Sequence, residues 1–205
     1  MLKELKLNHF LWIAIFFIAL IWSAIHPKDN LTWFLEVLPA LIGFAVLAYT
    51  FRTFPLTPLL YVLILIHCII LMIGGHYTYA EVPFFDTLKH TFDWSRNNYD
   101  KVGHLAQGFI PVLIAREVLI RKQVVNGQAW TNFLSVSIAL AFSAFYELIE
   151  WWVALTSEEA AEAFLGTQGY VWDTQSDMGY ALFGAISAIV LLTKMHNRQL
   201  ARFSK

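Results

Sequence analysis

Acidic residues and histidine recur about one helical turn apart on apolar segments of this 205-residue chain. In chain order, the residues with this spacing are Asp100, His104, Glu147, Glu150, Asp173 and Asp177. An imidazole surrounded by carboxylates can move a proton between reacting groups, and it can also hold a divalent metal ion. An ionisable side chain costs roughly 2.5–3.5 kcal/mol at mid-bilayer. Because these six ionisable residues are retained on apolar helices despite this cost, they are predicted to have a functional role.

The segments that carry these residues are predicted to span a membrane. Hydrophobic residues make up 58% of the chain and charged residues 14%, whereas a soluble domain carries about 25% charged residues. Six apolar runs approach the roughly 20 residues that a span needs. They lie at about 10–25, 32–50, 56–74, 102–120, 130–153 and 178–193. The sequence predicts an all-α polytopic membrane protein, with a single domain of six transmembrane helices over 1–205.

The charged residues are distributed unevenly between the two sides of such a protein. With six spans both termini share a side, and ten of the fourteen Lys and Arg residues fall there. Ten of the fifteen Asp and Glu residues fall on the opposite side. Because Lys and Arg accumulate in cytoplasmic loops, we predict that both termini are cytoplasmic and the acidic loops are outside. Nothing in this pattern indicates nucleic-acid binding, and membrane lipids are the expected partners.

Two long loops on the predicted outer side are expected to contain short interfacial helices. In the first loop, Phe84, Leu88 and Phe92 recur every fourth residue, which gives one apolar helix face. In the second loop, Ser157 is a plausible N-cap and Gly166 follows the predicted end. Such amphipathic helices can lie along the membrane surface.

Three spans are predicted to gather the polar residues at their outer ends. Asp100 and His104 are four residues apart, so they share one face of the fourth span. Glu147 lies roughly 9 Å inside the outer end of the fifth span. The catalytic candidates are His104, Asp100, Glu147 and Asp177. Below Asp177 small residues recur on the same face, which lets helices approach closely: Ala181, Gly184 and Ala188.

A divalent metal ion is the cofactor that this set of side chains could hold, since carboxylate oxygen suits Mg, Mn or Ca and imidazole also suits Zn. The candidate metal ligands are His104, Glu147, Asp173, Asp177 and His76. The candidate substrate-binding residues are Lys101, Glu150, Gln168 and Trp172. The expected substrate is a lipid-linked or cell-envelope molecule.

Each of these polar residues also has a purely structural interpretation. Asp100 and Asp173 could serve as N-caps, where the helix dipole favours an acid. Glu147 and Glu150 could pair with Lys101. The whole cluster would then be a salt-bridge lock between three helices.

The chain resembles the YjdF-like family of bacterial inner-membrane proteins along nearly its whole length. The segments that carry the resemblance are 74–79 (GGHYTY), 98–104 (NYDKVGH), 145–151 (FYELIEW) and 166–178 (GTQGYVWDTQSDM). This resemblance implies a multi-pass protein of the bacterial inner (plasma) membrane and no particular activity.

The second half is more distantly similar to VanZ-type membrane proteins, which implies work at the outer leaflet or cell wall. The positions that match that pattern are Asp100, Lys101, His104, Glu147, Asp173, Asp177 and Gly184. The chain departs from the VanZ-type pattern by the added pair Glu150 and Trp151 and by two longer outer loops.

Two functions follow from these observations. The first is a metal-assisted hydrolase or transferase, or one with a metal-free acid/base pair, that acts on a lipid-linked or envelope substrate. The alternative is a non-catalytic protein that binds a lipid, glycan or protein partner, with the polar cluster as the lock. Ion transport is disfavoured, because we expect the inner halves of the spans to be almost free of ionisable groups.

Overall fold

The computed structural model describes residues 7–155 and 171–203 as an arrangement of helices. They are α1 Leu7–Ala24, α2 Asn30–Thr50, α3 Pro58–Tyr77, α4 Pro83–Phe92, α5 Tyr99–Phe109, α6 Pro111–Arg121, α7 Gln128–Ala154 and α8 Asp173–Leu200. No strand occurs within these ranges. Six segments are long and apolar enough to cross a membrane, with α5 and α6 together forming one of them. The predicted all-α fold with six spans is confirmed.

The short helix predicted from Phe84, Leu88 and Phe92 is α4. It begins with Pro83, whose missing N–H costs nothing in the first turn. It ends where Asp93 takes a left-handed conformation with φ 53°. The second short helix, predicted between Ser157 and Gly166, lies outside the described residues.

The chain divides into two compact units. The first unit comprises Met1–Leu56 and Ile64–Asp100, and the second comprises Thr57–Leu63 and Lys101–Lys205. The first unit therefore contains α1, α2, α4 and most of α3. The second unit contains α6, α7, α8 and almost all of α5.

Aromatic stacking joins α1 to α2 in the first unit. The Phe16 ring is fully buried and stacks on Phe44 with ring centroids 4.9 Å apart, and Trp12 stacks on both. The side chain of Asp29 caps α2 by accepting the Thr32 N–H at 2.7 Å. Burial of large rings and a satisfied helix end together fix this pair of helices.

A sharp reversal of the chain ends α3 in the first unit. Thr78 and Tyr79 both adopt positive φ, 57° and 55°, and the Tyr79 N–H donates to the Gly74 carbonyl. The Tyr79 ring then lies so close to Gly74 that a Cβ there would overlap it. Tyr79 packs against Tyr99, whose ring also meets Phe85 of α4.

In the first unit, an exposed ion pair joins the loop between α1 and α2 to the loop between α3 and α4. The Lys28 ammonium lies 2.5 Å from Glu81, and about half of each side chain is exposed. The hydrogen bond from Lys28 to Glu81, reinforced by their opposite charges, raises the pKa of Lys28 above its usual value. Because the folded state raises this lysine pKa, the ion pair stabilises the fold in full at any pH below the pKa of the free side chain. This stabilisation is lost as the pH rises from that value through the higher pKa of the folded state.

In the second unit α6, α7 and α8 pack together, and α5 crosses α8 at very short range. A Cβ added at Gly108 would collide with the backbone carbonyl of Ala181, and one added at Gly184 would collide with that of Leu105. The predicted stripe of small residues on α8 is buried, as expected: Ala181, Gly184 and Ala188.

We predict that Gly184→Ala destabilises the protein although alanine is the better helix former. Overlap with the Leu105 carbonyl should force the helices apart and cost about 1–3 kcal/mol. Gly179 is the matched control, because it lies on the same helix with open space around the position of a Cβ. Gly179→Ala should leave stability unchanged or raise it. Thermal unfolding in detergent measures both, and equal effects at the two positions would contradict the close crossing.

Candidate polar site of the second unit

Lys101 joins α5 to the beginning of α8. Its ammonium Nζ donates to Asp177 Oδ1 at 2.5 Å and to Asp173 Oδ1 at 3.0 Å. The side chains of Lys101 and Asp177 are 10% and 4% exposed, so this pair is almost removed from water. Asp173 is a quarter exposed. Trp172 occupies the N-cap position of α8, so Asp173 lies in the first turn and is not the cap.

His104 lies one turn further along α5, between carboxylates of two other helices. Its Nδ1 is 3.7 Å from Glu147 Oε1 of α7, and its Nε2 is 3.8 Å from Asp177 Oδ2 of α8. All three side chains are buried. The structure therefore brings His104, Glu147 and Asp177 together, with the two acids on opposite edges of the ring.

A hydrogen bond to Gln107 assigns the two ring nitrogens of His104. Nδ1 lies 3.0 Å from Gln107 Oε1. An amide oxygen can only accept, so Nδ1 carries the proton and Nε2 keeps its lone pair in the neutral ring. The lone pair is thus on the edge that faces Asp177. Gln107 and His104 are three residues apart, which is the spacing at which helical side chains meet.

A buried hydroxyl lies one turn from Glu147 on the same face of α7. Ser143 is fully buried, and its Oγ has no hydrogen-bond partner in the described part of the chain. Buried polar atoms are normally satisfied, so an orphan hydroxyl in a native fold calls for a water or a ligand. It lies beside a carboxylate that belongs to the cluster.

Two of the remaining candidate residues, Asp100 and His76, have partners in the first unit. Asp100 is the last residue of the first unit, where it pairs with Arg96 at 3.1 Å. α5 begins at Tyr99, so Asp100 lies within its first turn and is not the N-cap, and the Asn97 side chain accepts the Tyr99 N–H. His76 bonds the Ser23 carbonyl in the first unit.

Glu150 is partly exposed on α7, and Trp172 is 64% exposed. Gln168 lies outside the described residues. The predicted roles of Asp100, His76, Glu150, Gln168 and Trp172 in a shared site stay predictions.

Comparisons with known proteins place the chain in a family. Residues 8–198 match a family described as "Predicted membrane protein (DUF2238)". The chain belongs to this family. The relative "Inner membrane protein YjdF" of Escherichia coli (strain K12) is 52% identical over 186 residues, which cover 91% of this chain and 89% of the relative. No solved structure matches. The predicted YjdF-like membership is confirmed, and the chain is a multi-pass inner-membrane protein.

Sequence reasoning missed a second polar cluster in this DUF2238 protein. Arg116 and Glu117 of α6 are 2% and 0% exposed, and His196 of α8 is fully buried beside them. The expectation that the inner halves of the spans are almost free of ionisable groups was wrong for these helices. The signal in the sequence is the pair of adjacent charges within the apolar run 102–120, since charged side chains inside a span require partners.

We predict that Lys101→Met destabilises the protein by about 3–5 kcal/mol, because it leaves two carboxylates without their shared cation in a buried setting. The double variant Lys101→Met with Asp177→Asn should recover part of this loss, since it removes the more buried of the two charges. Thermal unfolding of the two single variants and the double variant measures this coupling. Additive effects would show that Lys101 and Asp177 do not interact.

Proposed function

We propose that this DUF2238 protein is a hydrolase or transferase of the bacterial inner membrane that acts on a lipid-linked or cell-envelope substrate at the extracytoplasmic face. The observation that carries the proposal is the setting of His104, a buried imidazole that lies between two carboxylates from different helices, with its Nε2 edge toward Asp177 and its Nδ1 edge toward Glu147. A packing histidine does not require acids on both edges of its ring.

His104 is the proposed proton acceptor. Its Nε2 lone pair can take a proton from an attacking water or hydroxyl, and the resulting imidazolium is stabilised by Asp177 on one edge and Glu147 on the other. Gln107 holds the ring in the tautomer that this step requires. The Ser143 hydroxyl supplies a further polar atom one helical turn from Glu147.

A metal-assisted mechanism receives less support from the geometry. His104 and Asp177 would hold such a metal ion in the second unit, since imidazole nitrogen and carboxylate oxygen are both metal ligands, and their nearest atoms, Nε2 and Oδ2, are 3.8 Å apart. However, Glu147 faces the opposite edge of the ring, and Lys101 already holds one oxygen each of Asp173 and Asp177. A cation entering there would compete with the ammonium, so proton transfer without a metal is the better-supported chemistry.

The salt-bridge lock is the second candidate function for the cluster, and a specific contact favours it. Lys101 bridges two acids of α8 from α5, as a lock would require. In that case the protein binds a lipid, glycan or protein partner without catalysis. These two contacts join α5 to α8, whereas Glu147 of α7 approaches the cluster through His104, at 3.7 Å from its Nδ1.

The extracytoplasmic placement rests on the distribution of basic residues. The ends of α6 and α8 that carry Arg121, Lys194 and Arg198 are the predicted cytoplasmic ends. α5 and α8 begin, and α7 ends, at the opposite side, so the His104 cluster faces the periplasm in this orientation.

We predict that His104→Gln abolishes turnover while the protein stays folded. Wild-type protein incubated with a bacterial envelope lipid extract should give a product by mass spectrometry, and the variant should lose at least about 100-fold in rate, since general bases contribute about 10²–10⁴-fold. His90→Gln is the matched control, because His90 is exposed on α4. Both variants should melt within a few degrees of the wild type.

The same preparations distinguish the alternatives. No turnover by the wild type, together with a large loss of stability in His104→Gln, would favour the lock over an enzyme. One equivalent of divalent metal per chain, lost in both His104→Gln and Asp177→Asn but kept in Lys101→Met, would replace the metal-free mechanism with a metal-assisted one. Elemental analysis of the purified protein measures this.

We predict that a fluorescent protein fused to the C-terminus is fluorescent and that alkaline phosphatase fused there is inactive. Both results follow if the C-terminus is cytoplasmic, as the excess of Lys and Arg on that side requires. An active phosphatase fusion would place the His104 cluster on the cytoplasmic side and overturn the proposed envelope substrate.

A further inference from the structure

The second polar cluster carries a buried positive charge, Arg116, that forms no salt bridge with a carboxylate among residues 7–155 and 171–203. Arg116 is 2% exposed, and its three hydrogen bonds in the described part of the chain go to Asn132, His196 and Asn197. All three partners are neutral when His196 is the neutral ring. A guanidinium has five N–H donors, so two remain beyond these bonds.

The direction of the hydrogen bonds shows which ring nitrogen of His196 carries the proton. Arg116 can only donate, so His196 Nδ1 accepts at 3.1 Å. The proton of the neutral ring is then on Nε2, which donates to Glu117 Oε2 at 3.0 Å. Glu117 also accepts from Arg121 at 2.7 Å and from the Thr57 N–H. The acid of this cluster is thus held by other donors, on the far side of the imidazole from Arg116.

Arg116 lines a polar cavity of about 500 Å³, a volume in the range of small-molecule sites. Asn197 and Thr131 line it beside Arg116, and exposed side chains from the α6–α7 connection and the start of α7 form its rim, among them Gln123, Asn126 and Gln128. The described lining residues include no Asp or Glu. The rim connects the buried guanidinium with the protein surface.

The start of α7 adds partial positive charge to the same cavity. Gly127 is the N-cap of α7, with no side-chain hydrogen bond to cap the helix, and Gly127, Gln128 and Thr131 all line the cavity. The first N–H groups of a helix lack partners within it and attract anions. A buried Arg, an uncapped helix start and an acid-free lining therefore favour the same kind of ligand.

We propose that this cavity is an anion site that binds a phosphate group through Arg116. It is separate from the His104 cluster: Asp177 and His196 are 19 positions apart on α8, roughly 28 Å at 1.5 Å per residue. Planar guanidinium groups bind phosphate by paired hydrogen bonds, and the remaining donors of Arg116 suit such an anion. The phosphate can belong to a soluble molecule or to the headgroup of an anionic phospholipid.

The first arm tests soluble phosphate. Intact protein in neutral detergent is titrated with inorganic phosphate, and its melting temperature is compared with that in sodium chloride at equal ionic strength. A ligand that binds only the folded state raises the melting temperature with concentration. The second arm tests lipid: native mass spectrometry of protein in mixed micelles should show retention of phosphatidylglycerol over phosphatidylcholine.

A substitution at the rim supplies the decisive comparison. Gln128→Glu puts a negative charge into the cavity at the first turn of α7, where an acid is compatible with the helix. It should weaken phosphate or phosphatidylglycerol binding by about tenfold or more. Asn8→Asp adds the same charge at an exposed position outside the cavity and should bind like the wild type. Arg116→Gln, if it folds, should abolish binding.

The two arms give distinct results. A phosphate-dependent shift alone identifies a soluble ligand, and selective retention of phosphatidylglycerol alone identifies a lipid; both support the site when Gln128→Glu diminishes them. The proposal is overturned if neither arm differs from its control, or if Gln128→Glu binds like Asn8→Asp.

Discussion

The close crossing of α5 and α8 is the constraint on which the polar site of the second unit depends. Gly108 and Gly184 leave no room for a side chain where the two backbones meet. This approach lets Lys101 reach both Asp173 and Asp177, and it brings the lone-pair edge of His104 to face Asp177. Buried ions are tolerated only when they are paired. The close approach of the two helices allows this pairing, so the buried charges of the site depend on the helix contact.

The second unit carries polar clusters at both ends of α8 and an apolar stretch between them. Along the buried face of α8, Asp177 and His196 are separated by small apolar residues: Ala181, Gly184, Ala185 and Ala188. Their separation of roughly 28 Å along the helix is close to the thickness of a bilayer core. In a bilayer core of that thickness, each cluster would fall near a membrane surface, where water and headgroups reduce the cost of charge. The Ala and Gly residues between them offer no group that could relay a proton along this face.

The two clusters contain similar residue types but differ in the balance of their charges. At the beginning of α8, one ammonium is shared between two carboxylates, so acids outnumber cations around His104. At the end of α8, Glu117 accepts hydrogen bonds from Thr57, Arg121 and His196. The hydrogen bonds of Arg116 within the described ranges go to two Asn side chains and to His196, which are all neutral when the His196 ring is neutral. Excess negative charge beside an imidazole stabilises a captured proton, whereas excess positive charge beside a cavity attracts an anion. The family membership is compatible with both and specifies neither.

The sequence alone determined the six spans and α4, because hydrophobic length and four-residue periodicity are local properties. It also indicated that acids and His104 would gather at one end, since spans of alternating direction leave few other arrangements. Only the tertiary structure decided the partners: Lys101 with Asp177, Gln107 with Nδ1 of His104, and Glu117 with a histidine 79 positions away. Partner choice depends on the rotation of each helix and on approach distances of a few ångströms. Periodicity assigns a residue to a face but does not set either quantity.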